Sequence, residues 1–412
     1  MIYSKWLLAA AFTLTAFSLT AQCPDALREY GVPFSTVKAD QFSFLDDDLR
    51  DATLIGLGED THGTAEYANM VSELFFYLVR QHGVRILIVE DAFGPVRKMN
   101  EYIAGTRATP ELYAGNWRYY TVGFKALLDR LKEHNVANPQ DPVFIYGPEM
   151  QYAHDDATFV SDYLKSKGEH VDFSALTELS TIWKPLKRGQ LMDQLIVLEK
   201  AAVLMEEMRL DWKAEPEYQL AAQHLNVVRQ FLTTRLQTTG QRKHDFREIY
   251  MLENIQWVLR HHGAAAKALF WAHNGHVGTG RGNGTDMVGH HLRRAFGDRY
   301  FTIGTDVAKG RFRAYPSDAN ETGWRMRTFD FPAIEKGSFT GCLEGMGNPF
   351  AYLNFRAARR DERLREFLNQ PQLMMSGAGA RVRREGTERM RVGAIFDAII
   401  YLDRSTPIKF LD

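Results

Sequence analysis

Residues 54–67 read LIGLGEDTHGTAEY, and their order decides the fold. Leu54, Ile55 and Leu57 close an apolar run that stops at Gly58. Glu59, Asp60, Thr61 and His62 follow at once, and Gly63 and Thr64 then lead into Met70, Leu74 and Leu78 at helical spacing. A short branched apolar run ending in glycine reads as a buried strand, here 53–58. The spacing beyond it predicts a helix over 65–82, with Thr64 as its cap and Glu66 suited to its dipole. A second apolar run, VRILIVED over 84–91, follows directly. Strand, helix, strand predicts a parallel pair with a right-handed crossover.

The same pattern continues outward. PVFIYG (142–147), ALFWA (268–272), YFTIGTD (300–306) and IFDAIIYLD (395–403) read as further buried strands, with helices between them, notably over 123–134 and 287–296. From Phe173 to Leu236 there is no strand pattern, and Leu195, Leu198, Ala202 and Met205 make one helical stripe. The expected fold class is therefore α/β: a mostly parallel sheet flanked by helices, with a helical insertion at about 173–262. That insertion is either part of a substrate cleft or an ordinary helical side of the sheet.

Composition narrows the function. The 412 residues are 45% hydrophobic, enough for a sizeable core. Lys plus Arg number 50 against 51 for Asp plus Glu, so no charge bias favours nucleic acid or anionic membrane. The basic stretch 356–365, RAARRDERLR, carries interleaved acids and is expected to form a solvated helix face. At the N-terminus Lys5 precedes an apolar run and then small residues. That run of ~14 residues falls short of the ~20 a spanning helix needs, and is expected to be a secretory signal over 1–22, leaving one domain over 23–412. No other segment is apolar enough to span a bilayer. Cys23 and Cys342 are the two cysteines. An exported chain can pair them, and no cysteine zinc site is possible.

Ligands of open parallel sheets bind at the carboxyl ends of the strands. There the first strand delivers Glu59 and His62, the second Glu90 and Asp91, PVFIYG delivers Glu149 with Gln151 nearby, and ALFWA delivers His273, Asn274 and His276. Each has a structural alternative: a helix cap, a satisfied buried histidine, an ion-pair partner. Four strands converging on one rim favour a functional site, because clustered charges are costly without purpose. Asp60 is expected to be structural or exposed. No G-x-S-x-G elbow, HExxH or GxxxxGK[ST] pattern is present. His62 can act as a general base on water, with Glu59 or Glu90 holding its tautomer. His273 or His276 can donate to an oxyanion or protonate a leaving alcohol, and Asn274 can orient either ring. The same rim could instead bind a metal. The glycine-rich GTGRGNG over 278–284 is expected to be a flexible active-site loop. Tyr113, Trp117, Tyr119 and Tyr120 are either core packing or an aromatic wall for a bulky substrate.

With GEDTHG (58–63), VED (89–91) and WAHNGH (271–276), the chain resembles the erythromycin esterase family. FREIYMLENIQWVL (246–259), GHHLRRAFGDRYFTIGTDVAKGRFRA (289–314) and FDAIIYLDRSTP (396–407) resemble further family segments. The resemblance implies metal-independent hydrolysis of an ester or lactone, with no cofactor. His62 would be the base, Glu59 and Glu90 the acids, and His273 and His276 the later histidines. Arg247 stands at a family arginine, and Glu248 replaces the usual aspartate. Resistance members carry a basic residue nine positions after the THG histidine; Val71 stands here, which puts macrolide specificity in question. A metal-dependent hydrolase or peptidase, and a non-catalytic haem or ligand binder, are the competing readings. The expected partner is a small-molecule ester or lactone.

Overall fold

β2 (Leu54–Glu59) lies near the middle of the main sheet, as its unbroken burial requires. The structure, a computed structural model, describes residues 23–412 apart from 113–116, 175, 177–187, 209, 283, 317–324, 335–337 and 376–386. The expected leader 1–22 and Tyr113 fall outside the described residues. The other strands of that sheet are β1 (Gly31–Phe34), β3 (Ile86–Val89), β4 (Phe144–Tyr146), β5 (Ala268–His273), β6 (Tyr300–Ala314), β7 (Arg327–Asp330), β8 (Phe350–Asn354) and β9 (Ala398–Ser405). The order is β1-β8-β9-β6-β2-β5-β3-β4, with β7 paired to β6. From β9 to β4 all neighbours run parallel. β8 is antiparallel to β9, β1 to β8, and β7 to the far end of β6.

One expectation changes here. β2 and β3 are both parallel members of the sheet, but they are not neighbours. β5 lies between them, with Trp271 level with Leu57 on one side and Val89 on the other. ALFWA is apolar throughout, and a parallel strand covered on both faces belongs in the interior of a sheet. The insertion of β5 brings His273 level with Glu59 and next to the end of β3.

α1 (Glu66–His82) connects β2 to β3 and buries Met70, Leu74 and Leu78 in the main core. Its start differs from expectation. Ala65 is the N-cap and no side chain caps the helix. Thr64 is drawn into a backbone bridge with Pro407, and its buried hydroxyl has no partner among the described residues. Glu66 instead accepts from the amide and hydroxyl of Thr406. α2 (Phe93–Ile103) and α3 (Val122–Ala137) follow. Val71 is fully buried in the α1 core, so this position does not face a ligand.

Between β4 and β5 the chain forms α4 (His154–Ser166), α5 (Arg188–Glu206), α6 (Pro216–Arg235) and α7 (Gly240–His261). Leu198 and Met205 are buried there and Leu195 and Ala202 pack against them, in a cluster with Val160, Val228 and Phe231. α7 turns Met251, Ile255 and Val258 onto the sheet. Its first half thereby reaches the carboxyl rim.

Two surface expectations are corrected. Residues 356–365 are not one solvated face: Phe355–Ala358 and Glu362–Asn369 are separate short helices. Arg356 folds onto the buried carboxylate of Asp397 at 2.8 Å, which needs a countercharge. In GTGRGNG, Arg281–Gly282 pairs with Thr285–Asp286. The hairpin is pinned by Thr279 on Ile395 and by Thr285 on Asp245. Cys23 and Cys342, left open by the sequence, are disulfide-bonded. Among the described residues no helix is long and apolar enough to cross a membrane.

Candidate active site

The loop after β2 is clamped at both ends by glycines. A Cβ on Gly58 would fall 2.2 Å from Asn274 Oδ1, and one on Gly63 would fall 1.8 Å from the Arg313 carbonyl oxygen. The Gly63 carbonyl also accepts from the amides of Arg313 and Ile408. Gly63 is therefore demanded by close backbone approach, and Gly58 by the Asn274 side chain packed against it. Between these anchors Glu59 and His62 are held at the rim.

Glu59 Oε1 pairs with His62 Nδ1, and Glu59 Oε2 accepts from Trp271 Nε1 at 2.8 Å. Both oxygens of the carboxylate are thus engaged, and the His62 tautomer is set: Nδ1 carries the proton shared with Glu59, and Nε2 is the nitrogen able to take a proton. The His62 ring lies 5.4 Å from the His273 ring and 6.2 Å from Trp117, edge-on to both.

His273 is differently committed. Its Nδ1 accepts from the Gly275 amide at 3.2 Å and its Nε2 donates to the Asp60 carbonyl at 3.2 Å. That pattern describes a neutral ring with both nitrogens in use. Its backbone amide donates to Glu90 Oε2 at 2.8 Å.

His276 lies in a buried charge cluster. Its Nδ1 donates to Glu248 Oε2 at 2.9 Å, and its Nε2 lies 3.5 Å from Glu90 Oε1 and 3.1 Å from Arg247 Nη1. Arg247, from α7, grips Glu149 with Nε and Nη2 and also reaches Glu90 and Glu248. Arg118 Nη1 donates to Glu90 Oε1 at 3.1 Å. Three carboxylates thus face two guanidiniums around the His276 ring. Burial opposes a proton on that ring, but Glu248 and Glu90 override it and raise the imidazole above its ordinary value. Burial likewise opposes ionisation of Glu90, yet His276, His62 and the two arginines hold it well below the usual carboxylate range.

The remaining expected residues fall as follows. Asn274 bonds the backbone of Thr305 in both directions, at 2.8 and 3.1 Å, tying the end of β5 to β6. Trp117 stands beside His62 and against Tyr315. Tyr119 is buried on Phe124 and Trp271, and Tyr120 is half-buried. Asp60 is structural, and not exposed: it is 2% accessible and accepts from Tyr67, whose hydroxyl also meets Thr305. Burial, with Glu59 next to it, pushes the Asp60 carboxyl up to about 7. Among the described residues no group of three or more His, Cys, Asp or Glu side chains is arranged to hold a metal ion.

The erythromycin esterase sequence profile matches residues 79–405, which take in Glu90, Arg118, Arg247, His273 and His276. The chain belongs to the erythromycin esterase family. The match begins after the GEDTHG block, so His62 and Glu59 stand on the geometry and the motif. Family membership supports ester hydrolysis in the broad sense. Three solved structures share the fold. A Bacillus cereus protein superposes with a TM-score of 0.83 at 21% identity, over 95% of this chain and 99% of its own. A succinoglycan biosynthesis protein gives 0.78 at 21% identity, over 93% and 97%. A histidine mutant of the erythromycin esterase EreC, in its open conformation, gives 0.66 at 15% identity, over 91% and 98%. No curated protein sequence matches the chain.

For this erythromycin esterase family member, sequence reasoning passed over Trp271, Arg118 and Tyr67. Trp271 lies inside the quoted WAHNGH block as an apparent core residue. Arg118 interrupts the aromatic run WRYY, and a lone charge in such a run is the signal that could have found it.

Proposed function

We propose that the protein is an exported hydrolase of a small-molecule ester or lactone, with His62 as general base. The observation that carries this reading is the Trp271–Glu59–His62 chain at the carboxyl rim. A water bound at Nε2 loses a proton to the ring as its oxygen attacks the substrate carbonyl. Glu59 holds the ring and offsets the charge of the imidazolium. The tetrahedral intermediate then collapses, the carbon–oxygen bond to the alcohol breaks, and the alkoxide takes the proton back from Nε2. Base catalysis of this kind contributes ~10²–10⁴-fold.

Trp117 beside His62 offers an aromatic wall. Arg247, saturated by carboxylates, is a positioning residue for Glu90 and His276 in this scheme. Asn274 plays the same part for the β5 end. Macrolides belong in the substrate panel through family membership; the buried Val71 removes the cation that resistance members carry at that position. Export is supported by the leader pattern and by the Cys23–Cys342 disulfide, which suits an oxidising compartment.

The test is a panel of esters, lactones and macrolides against wild type and His62→Ala, with circular dichroism on both. Hydrolysis by wild type and its loss in a folded His62→Ala are expected. Retained turnover in that variant overturns the mechanism. So does turnover that a chelator abolishes and added metal restores.

A further inference from the structure

General-base attack on a carbonyl leaves a developing negative charge on oxygen, and some donor must meet it. The two later histidines are the obvious candidates, and the structure commits both elsewhere. His273 has one nitrogen on the Gly275 amide and the other on the Asp60 carbonyl. His276 gives Nδ1 to Glu248, and its Nε2 faces Arg247 and Glu90. Arg247 is spent on Glu149, Glu248, Glu90 and His276, and its side chain is 9% exposed.

Arg118 differs on each count. Its side chain is 20% exposed, and among the described residues Glu90 is its one hydrogen-bond partner, through a single nitrogen. A guanidinium has five N–H donors in a fixed fork, so several stay uncommitted among the described residues. Its place is set by packing: the guanidinium lies 5.5 Å from the Tyr119 ring centroid, and Tyr119 is buried against Phe124 and Trp271. The preceding residue, Trp117, stands 6.2 Å from the His62 ring. Glu90 accepts from Arg118 with one oxygen and from the His273 amide with the other, and the His273 ring lies 5.4 Å from the His62 ring, so base and cation flank the same strand ends.

We propose that Arg118 is a further catalytic residue, whose free N–H groups hold the oxyanion formed when water activated by His62 attacks the substrate carbonyl. This rests on the hydrolase reading above. It also accounts for the Glu90–Arg118 pair: Glu90 anchors one nitrogen and aims the rest of the fork at the space beside His62. A preorganised cation of this kind needs no reorganisation during the reaction. The charge acts on the intermediate more than on the neutral ester, so its loss should fall on kcat.

The experiment compares Arg118→Gln, Arg118→Lys and Arg118→Ala on an ester that wild type hydrolyses. Arg118→Gln is expected to lower kcat by ~10²–10³-fold, with KM within a few-fold. Arg118→Lys should retain part of the rate. Guanidinium chloride should partly restore Arg118→Ala, and equal sodium chloride should not. Unfolding midpoints verify that the variants are folded. In a second arm, calorimetry measures phenylphosphonate, a tetrahedral anion. Wild type and His62→Ala should bind it, and Arg118→Gln should bind it at least about tenfold more weakly, the loss expected when a charge-assisted hydrogen bond worth ~1.5–3 kcal/mol is removed. Wild-type kcat in Arg118→Gln overturns the proposal, as does phosphonate binding indifferent to Arg118. If wild type hydrolyses no ester, the hydrolase reading falls, and the phosphonate arm still decides whether Arg118 is an anion site.

Discussion

Trp271 and Glu59, 212 residues apart, are joined by a 2.8 Å hydrogen bond from the indole to the carboxylate that holds His62. β5 places the indole, β2 places the carboxylate, and their register puts Leu57 beside Trp271. Glu59 has one oxygen on each partner, so neither bond can move without the other.

This linkage predicts a graded pair of variants. Glu59→Gln removes the charge that offsets the imidazolium and is expected to lower kcat by ~10²-fold or more with little change in KM. Trp271→Phe replaces the indole by a smaller aromatic ring and removes the donor to a charged group, a loss of ~1.5–3 kcal/mol. It should lower kcat less than Glu59→Gln does. Steady-state kinetics on both variants check the order; equal losses, or none, contradict the linkage.

Asp60 predicts a pH dependence of stability. Its carboxyl is pushed up to about 7 in the folded protein, chiefly by burial and further by Glu59, against the opposing Tyr67 bond. An unfolded aspartate titrates near ~3.9. Between these values the folded state binds more protons than the unfolded state, so stability falls as pH rises, by up to ~1.4 kcal/mol per pH unit from this group. Asp60→Asn removes that slope. Unfolding midpoints of wild type and variant from about pH 4 to 7 should converge in acid and separate toward neutrality, with wild type losing the more on the way up.

The two glycines of the GEDTHG block predict different failures. Gly63→Ala drives a Cβ into the Arg313 backbone, which has no rotamer to yield. Overpacking typically costs ~1–3 kcal/mol, and this position should lie at or beyond the upper end. Gly58→Ala meets the Asn274 side chain, which can move. It should retain more stability and lose activity, because Asn274 ties β5 to β6. Thermal unfolding and turnover of both variants separate the two cases.

The disulfide joins the N-terminal segment to a helix 319 residues away. Cys342→Ser is expected to lower stability by about 2–5 kcal/mol. In denaturant unfolding, wild type with reductant and the variant should agree, and both should fall below wild type without reductant. A variant as stable as the oxidised wild type would remove the bond from the account of stability.

Local pattern carried much of this fold. The apolar runs of β2 to β6 and of β9, the α1 periodicity and the stripe over Leu195 to Met205 were legible, because burial on both faces gives a strand a continuous apolar run and burial on one face gives a helix a 3.6 period. β6 runs to Ala314, past the expected 306, since its second half is held by β7 and its partly exposed residues show no apolar run. β1, β7 and β8 were not legible. Their identity comes from antiparallel partners elsewhere in the chain.

By itself the sequence determined an α/β chain with Glu59, His62, Glu90, His273 and His276 delivered to one rim, through strand ends that carry polar residues directly after apolar runs. Tertiary structure alone decided which of them share bonds. It inserted β5 between β2 and β3, committed both nitrogens of His273, and surrounded Arg247 with carboxylates from three different elements. The physical reason is that a buried charge or imidazole takes its protonation and role from partners within a few ångströms, and here those partners lie up to 213 residues away along the chain.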